Sequence, residues 1–363
     1  MPKRILFLYN QVTEAERIGP FGECALEKDV EKIKQGLIRS NNEILTLDLF
    51  SPEQLEEFIK RNQPIDMAFV IAEGFKDLPH TLYNGQGAAL VRKYLSKYNI
   101  PSSHSSVESM EICRNKDWTY AKLREKNIPV PEFLVFYSHF SGNMDALYED
   151  TLKIGYPLMV KPAGGGNSIG ISSKSVVYNF LALKKQITYL NETLGPSTLI
   201  IEKYLSGQEF TLGILGNEIK YVLPIIGFPW DFGVRDANLK KVENKLRHKF
   251  EIINEYDQRF KKLLEIGINT FDAVLANDII RIDIKEDADG NPYVIDVNGT
   301  PSLATSGSLS YMAQQAKISH SDLINLTLYE TLTRYGLKPN MFLEEHILEL
   351  QSKLTQFNSI EVA

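Results

Sequence analysis

Arg281-Ile282-Asp283, a turn signal at Asp289-Gly290, and then Ile295-Asp296-Val297-Asn298 read together as a hairpin. Asp-Gly between alternating apolar residues is the strongest short-range signal for two antiparallel strands joined by a two-residue turn. With Asp289 and Gly290 as that turn, Ala288 opposes Asn291, and counting outward puts Asp283 opposite Asp296 and Arg281 opposite Asn298. Side chains alternate along a strand, so all four share one face. Two carboxylates facing each other across a ladder repel unless something positive sits between them. A hard, oxygen-binding ion, Mg²⁺ before Zn²⁺, meets that need. A solvated face carrying a chance acidic pair is the other reading. Pro292 is compatible with this register, because it falls where the N–H points away from the partner strand.

The chain has 363 residues, 43% hydrophobic and 24% charged, enough for two or three globular units with real cores. A net charge of −6 argues against a general nucleic-acid or anionic-membrane surface, which needs a basic field. The two cysteines, Cys24 and Cys113, lack metal-ligand spacing and fit buried or free thiols of a reducing compartment. The apolar run Ile5 to Tyr9 is too short for a signal-peptide core or a membrane span, so a cytoplasmic protein is expected.

Ile5 to Tyr9, Ile44 to Leu47 and Asp66 to Ile71 read as strands, with helices at Glu27 to Ser40 and between the second and third strands, and another at Gly87 to Tyr98. That alternation is the βαβ pattern of a parallel sheet. Beyond about residue 105 the texture changes to hairpins: Leu158 to Lys161, Gly170 to Val177, Thr198 to Tyr204 and Phe210 to Leu215, with helices at Lys116 to Lys126 and Leu181 to Leu190. The expected units are 1–105, 106–205 and 206–340, followed by a helical tail, 341–363, that packs onto its own domain.

Pro157 to Pro162 leads into Ala163-Gly164-Gly165-Gly166-Asn167-Ser168-Ile169-Gly170. A glycine-rich loop exposes backbone N–H groups that can cradle phosphate oxygens. This one is neither a Walker loop nor a dinucleotide fingerprint, because a strand rather than a helix is expected after it, which describes a hairpin flap. Lys161 can set its ammonium against phosphate. Downstream, Glu202 to Phe210 joins an apolar strand to a charged segment, where backbone groups around Lys203 and Leu205 can pair with adenine and Glu209 can accept from ribose hydroxyls. A generic strand, turn and strand would also account for this segment. The lysine, glycine flap, acidic strand end and Asp…Asp/Asn hairpin, in that order, supply the parts of a Mg–nucleotide site.

These residues resemble the ATP-grasp ligases, and among them the D-alanine–D-alanine ligases, over Lys116 to Tyr335 and more loosely before that. The resemblance implies an α/β fold, α+β in its nucleotide-binding part, of three units with an N-terminal βαβ parallel-sheet domain. It implies that Lys116 and Lys161 bind phosphates together with Gly166 and Ser168 of the flap, Glu202, Lys203 and Leu205 bind adenine, and Glu209 binds ribose. Asp283, Asp296 and Asn298 would hold two Mg²⁺ ions, with Mn²⁺ an alternative. Arg281 would stabilise charge on the reacting acyl group, with Glu23 and Ser308 completing the catalytic set. The implied reaction joins a small-molecule carboxylate to an amine through an acyl phosphate, releasing ADP and phosphate, in an enzyme that could be a homodimer. A ligase for a larger natural-product acid and a nucleotide-binding regulatory protein are the other readings.

Several segments depart from the family pattern. Ser302 stands where an oxyanion-hole glycine is usual, Asp296 where glutamate is common, and Ala72-Glu73-Gly74-Phe75 where a His-Gly segment is expected. Ser306 and Ser308 both compete for the acceptor-side serine. The segment Trp230 to Lys249 carries Arg235, Lys240, Lys241, Lys245, Arg247 and Lys249, which read either as a solvated helix face or as a guide for an anionic substrate.

Overall fold

Strand β1 (Arg4–Tyr9) sends alternate side chains into two different cores, which is why its apolar run has no polar face. Ile5 and Phe7 pack with helix α1 (Glu27–Ile38), whereas Leu6 and Leu8 pack with α2 (Pro52–Arg61) and α3 (Gly87–Lys97). In this computed structural model, which describes residues 1–137, 144–164, 166, 170–195, 197–236, 239 and 242–357, β1 lies between β2 (Glu43–Asp48) and β3 (Met67–Val70), parallel to both. The N-terminal unit is therefore the expected parallel sheet covered on both faces. Ser168, Lys240 and Lys241 lie outside the described residues, as do Gly165, Asn167 and Ile169 of the glycine run.

Helices α4 (Val107–Arg114) and α5 (Lys116–Glu125) follow. They lead into a four-stranded antiparallel sheet of β4 (Phe133–Tyr137), β5 (Leu158–Pro162), β6 (Val176–Val177) and β7 (Thr198–Lys203), in the order β4-β7-β5-β6. Helices α6 (Met144–Ile154) and α7 (Phe180–Leu194) pack on this sheet. The second strand of the flap is shorter than expected. Ser173–Ser175 form a 3-10 turn, in which Ser172 Oγ accepts from Lys174 N at 3.2 Å and Ser175 Oγ accepts from Ser172 N at 3.1 Å. Serine hydroxyls compete here with ladder bonds and leave only two residues of strand.

The C-terminal sheet contains β8 (Glu209–Gly216), β9 (Lys220–Val222), β10 (Ile225–Gly227), β11 (Glu251–Ile253), β12 (Ile279–Glu286) and β13 (Pro292–Asn298). Its pairings are antiparallel, in the order β11-β10-β8-β12-β13 with β9 also on β8. One face packs against α8 (Phe260–Ala273) and against Tyr120 and Leu123 of α5. The other meets α9 (Ser308–Gln315), α10 (His320–Arg334) and α1.

The β12–β13 hairpin corrects the turn but keeps the pairing. Asp287 N donates to Asn291 O at 3.0 Å, so Ala288, Asp289 and Gly290, the last with φ +83°, form a three-residue loop. That loop pairs Glu286 with Pro292 and Ile284 with Val294, one step away from two-residue-turn register. A bulge at Ile295 restores the step, and Asp283 faces Asp296 and Arg281 faces Asn298 as expected.

Helix α11 (Met341–Phe357) reaches further than its own domain. Leu343, Ile347, Leu350 and Leu354 join the core that holds Ile5, Phe7, Ile33 and Leu37 of the N-terminal unit. Asn340 Nδ2 donates to Ser40 O at 2.9 Å, which ties the start of this helix to the end of α1. Among the described residues no helix is long and apolar enough to cross a membrane.

Candidate active site

The β12–β13 face is an alternation of opposite charges. Arg281 donates from Nε and Nη2 to Asp283 at 3.1 and 2.9 Å, and Thr211 Oγ1 on β8, which pairs with Asp283, donates to the same carboxylate at 2.7 Å. Lys116 Nζ, at the first residue of α5, meets Asp296 Oδ1 at 3.0 Å. Burial pushes both carboxyls up, but Arg281 outweighs it at Asp283, and Lys116, followed by Lys161 and Arg281, outweighs it at Asp296, so both are held below the usual carboxylate range. Asn298 Nδ2 lies 3.4 Å from Asp296 Oδ2.

Lys161 ends up more deeply committed than an exposed lysine beside a loop. Its Nζ is 2.7 Å from Glu202 Oε1 and donates to Tyr120 Oη at 3.1 Å and to Ile295 O at 3.2 Å. The Ile295 carbonyl is available because the bulge removes it from the ladder. The Tyr120 hydroxyl, also 2.9 Å from Glu202 Oε2, is one helical turn beyond Lys116 on the same face of α5. That i, i+4 spacing was the sequence signal for Tyr120.

These groups line one cleft between the central and C-terminal sheets. Lys116, Lys161, Gly166, Glu202, Leu205, Glu209, Asp283 and Asp296 all contribute to its wall, joined by Met159, Ile171, Arg235 and Lys285. Lys203 is turned away from it, donating to Gly155 O at 2.9 Å. Glu209 is already engaged by Arg235 on one oxygen and has Lys285 at 3.6 Å from the other. Arg235 also holds Glu243 at 2.8 Å and stacks with its guanidinium 3.5 Å from the Phe228 ring centroid. Burial opposes the charge on Arg235, but Glu209 and Glu243 outweigh it and raise its affinity for the proton. Of the basic segment, then, Arg235 faces the cleft, while Arg247 donates to Ser306 O at 2.8 Å and lies over Tyr311.

Ser308 opens α9 and is not among the residues of the cleft wall. Ser302 is exposed, with its hydroxyl accepting from Ala304 N at 3.3 Å. Glu23 packs against Gly166: a Cβ there would stand 2.5 Å from its Oε1. The thiols of Cys24 and Cys113 are both pushed up to about 12 by burial and stay protonated at neutral pH.

The donor chemistry suits Mg²⁺. Asp283 and Asp296 are hard oxygen donors on facing strands, and each ionised carboxylate keeps lone pairs beyond those its cation uses. Among the described residues no group of three His, Cys, Asp or Glu side chains forms a closed metal cage.

A parallel-sheet domain followed by two antiparallel sheets that enclose a lysine-rich, acid-rimmed cleft defines an ATP-grasp protein. A family model described as D-ala D-ala ligase C-terminus matches residues 123–328, and the chain belongs to that family. It is 28% identical over 278 residues to D-alanine–D-alanine ligase A of Bacillus cereus, covering 76% of this chain and 84% of the relative. It is 23% identical over 320 residues to the D-alanine–D-alanine ligase of Ectopseudomonas mendocina, covering 87% and 94%. The crystal structure of the Bacillus anthracis D-alanine–D-alanine ligase complexed with ATP superposes with a TM-score of 0.69 at 24% identity, covering 91% of this chain and 98% of that one, which shows a shared fold.

Proposed function

We propose that this protein is an ADP-forming carboxylate–amine ligase that makes a peptide-type amide through an acyl phosphate, with an amino acid or small peptide as substrate. The observation that carries the reading is the convergence of Lys116, Lys161, Asp283 and Asp296 on one cleft, with Arg281 on Asp283 behind it, where each charge has an opposite partner at 2.7 to 3.1 Å. A carboxylate and a triphosphate repel, and preorganised cations in a water-poor cleft offset that repulsion as charge develops. Lys116 and Lys161 bind phosphate oxygens, and the glycine segment supplies backbone N–H groups above them. Asp283, Asp296 and Asn298 hold Mg²⁺, two ions in this reading with Mn²⁺ as a substitute, which neutralises phosphate charge when bound. Arg281 orients and stabilises the acyl oxygen. Closure of the flap excludes water that would otherwise hydrolyse the acyl phosphate.

The test is phosphate release from Mg–ATP across D- and L-amino acids, singly and in pairs, with Asp296→Ala as control. ADP formation that requires both a carboxylate and an amine supports the reading. Nucleotide binding without turnover on any acid–amine pair would refute it in favour of a regulatory role.

A further inference from the structure

The end of β12 and the loop after it form one wall of a second groove, apart from the cleft. Strand alternation separates the two: Lys285 lines the cleft, and the next residue, Glu286, lines the groove. The groove has a volume of about 540 Å³ and is bounded by Trp230, Gln258, Glu286 and Asp289 together with Asp257 and Arg259.

Glu286 is the group that points to a ligand. It is 4% exposed, yet its carboxylate has no hydrogen bond or ion pair among the described residues. A buried carboxylate is costly unless a cation or a donor meets it. Arg259, the cation that acts on it, is already taken: its Nη2 meets Asp257 at 2.6 Å and Glu251 at 2.9 Å, and its Nη1 donates to Gln208 at 2.6 Å. Burial therefore raises the proton affinity of Glu286 in spite of Arg259. Asp289 adds an exposed carboxylate at the rim, and Trp230, 63% exposed, adds an indole. Carboxylates take charge-assisted hydrogen bonds from cationic N–H groups, and an indole face attracts positive charge. A bare metal ion fits less well, since among the described residues no three His, Cys, Asp or Glu side chains are placed to hold one.

We propose that this groove binds a small organic cation of the amine or guanidine class, with its N–H groups on Glu286 and Asp289 and its body against Trp230, and that the bound cation strengthens nucleotide binding. The linkage follows from the chain. Trp230 opens the short turn Trp230–Phe232, and Gly233, Val234 and Arg235 directly after it line the cleft, where Arg235 holds Glu209. A cation seated against Trp230 thus adds contacts to the segment that positions Glu209. This second part rests on the nucleotide reading of the cleft, and the first does not.

The full chain is titrated by calorimetry with putrescine, methylguanidinium and tetramethylammonium, beside neutral butanediol and K⁺ at constant ionic strength. At least one organic cation is expected to bind where butanediol and K⁺ at the same concentration do not. Glu286→Gln and Trp230→Ala should each weaken it at least about tenfold while ADP affinity holds. Trp230 is exposed, so its variant keeps the test open whatever Glu286→Gln does to folding. A saturating cation should tighten ADP at least about fivefold, and saturating ADP should tighten the cation by the same factor. Silence of all three cations, equal binding of butanediol or K⁺, or an affinity unchanged in Trp230→Ala overturns the site. An ADP affinity unmoved by the bound cation overturns the linkage. Failure of ADP to bind at all, with the cation still bound, would refute the nucleotide reading and leave the groove standing.

Discussion

The carboxylates of Asp283 and Asp296 face each other across β12 and β13, and a different cation holds each, Arg281 on Asp283 and Lys116 on Asp296. The two cations come from different places in the fold, one from the same strand and one from a helix more than 150 residues earlier in the chain. Facing anions are thereby held ionised without leaving the cleft.

Removing one of them separates chemistry from stability. In Asp296→Asn the repulsion with Asp283 disappears while Lys116 loses its partner, so the two effects oppose each other in the melting temperature. On the proposed role of Asp296 as a metal ligand, turnover falls by at least about 100-fold. The sign with pH follows from the depressed folded value. Asp296 contributes stability that is fully present above the unfolded carboxylate range near 4 and is lost as pH falls through the lower, folded value. Denaturant titrations between about pH 2 and 6 should show a flatter acid limb in the variant.

Tyr120→Phe tests the bulge. The variant keeps the ring packed against Phe133, whose centroid is 5.1 Å away, and removes the hydroxyl that Lys161 and Glu202 share. The expected loss is about 1–3 kcal/mol in urea unfolding, with a weaker affinity for ATP because Lys161 is left less well oriented. An unchanged ATP affinity would remove Tyr120 from the site.

Arg235→Met leaves Glu209 and Glu243 buried without their common partner. Breaking a buried pair in this way costs about 3–5 kcal/mol. The double variant R235M/E243Q should recover part of that loss and, on the proposed role of Glu209 in ribose binding, still raise the KM for ATP about tenfold, because Glu209 is no longer held in place. Recovery of both stability and KM would make the arginine a structural strut alone.

Glu330 provides a pH signature remote from the cleft. Burial pushes its carboxyl up to about 7, against the hydrogen bond that Asn217 Nδ2 donates at 3.2 Å. The folded state therefore binds a proton that the unfolded state releases near 4, and the associated stability is full below that value and lost as pH rises through 7. Glu330→Gln should melt close to the wild type at pH 5 and above it at pH 8, by an amount equivalent to about 2–3 kcal/mol. Parallel melting curves at both pH values would refute the shift.

Much of this architecture was legible locally. The βαβ strands follow from apolar runs that helices must cover on both sides. The facing of Asp283 and Asp296 also emerged from counting, although the turn assumed was a residue short and the bulge that compensates for it is invisible to a count. Glu209 is legible as a carboxylate of the charged segment after that strand, but not as the partner of Arg235, because a long-range ion pair leaves no periodicity.

The sequence by itself determined the alternation of strands and helices, the glycine flap's location and the acidic hairpin, since each depends on backbone preferences and on the order of residues within a few positions. Only the tertiary structure decided which cation meets which carboxylate, that the tail helix shares the N-terminal core, and that Glu73 pairs with Arg114. Those relations depend on how distant segments pack, and the buried, low-dielectric setting that gives their charges force exists only once the chain has folded.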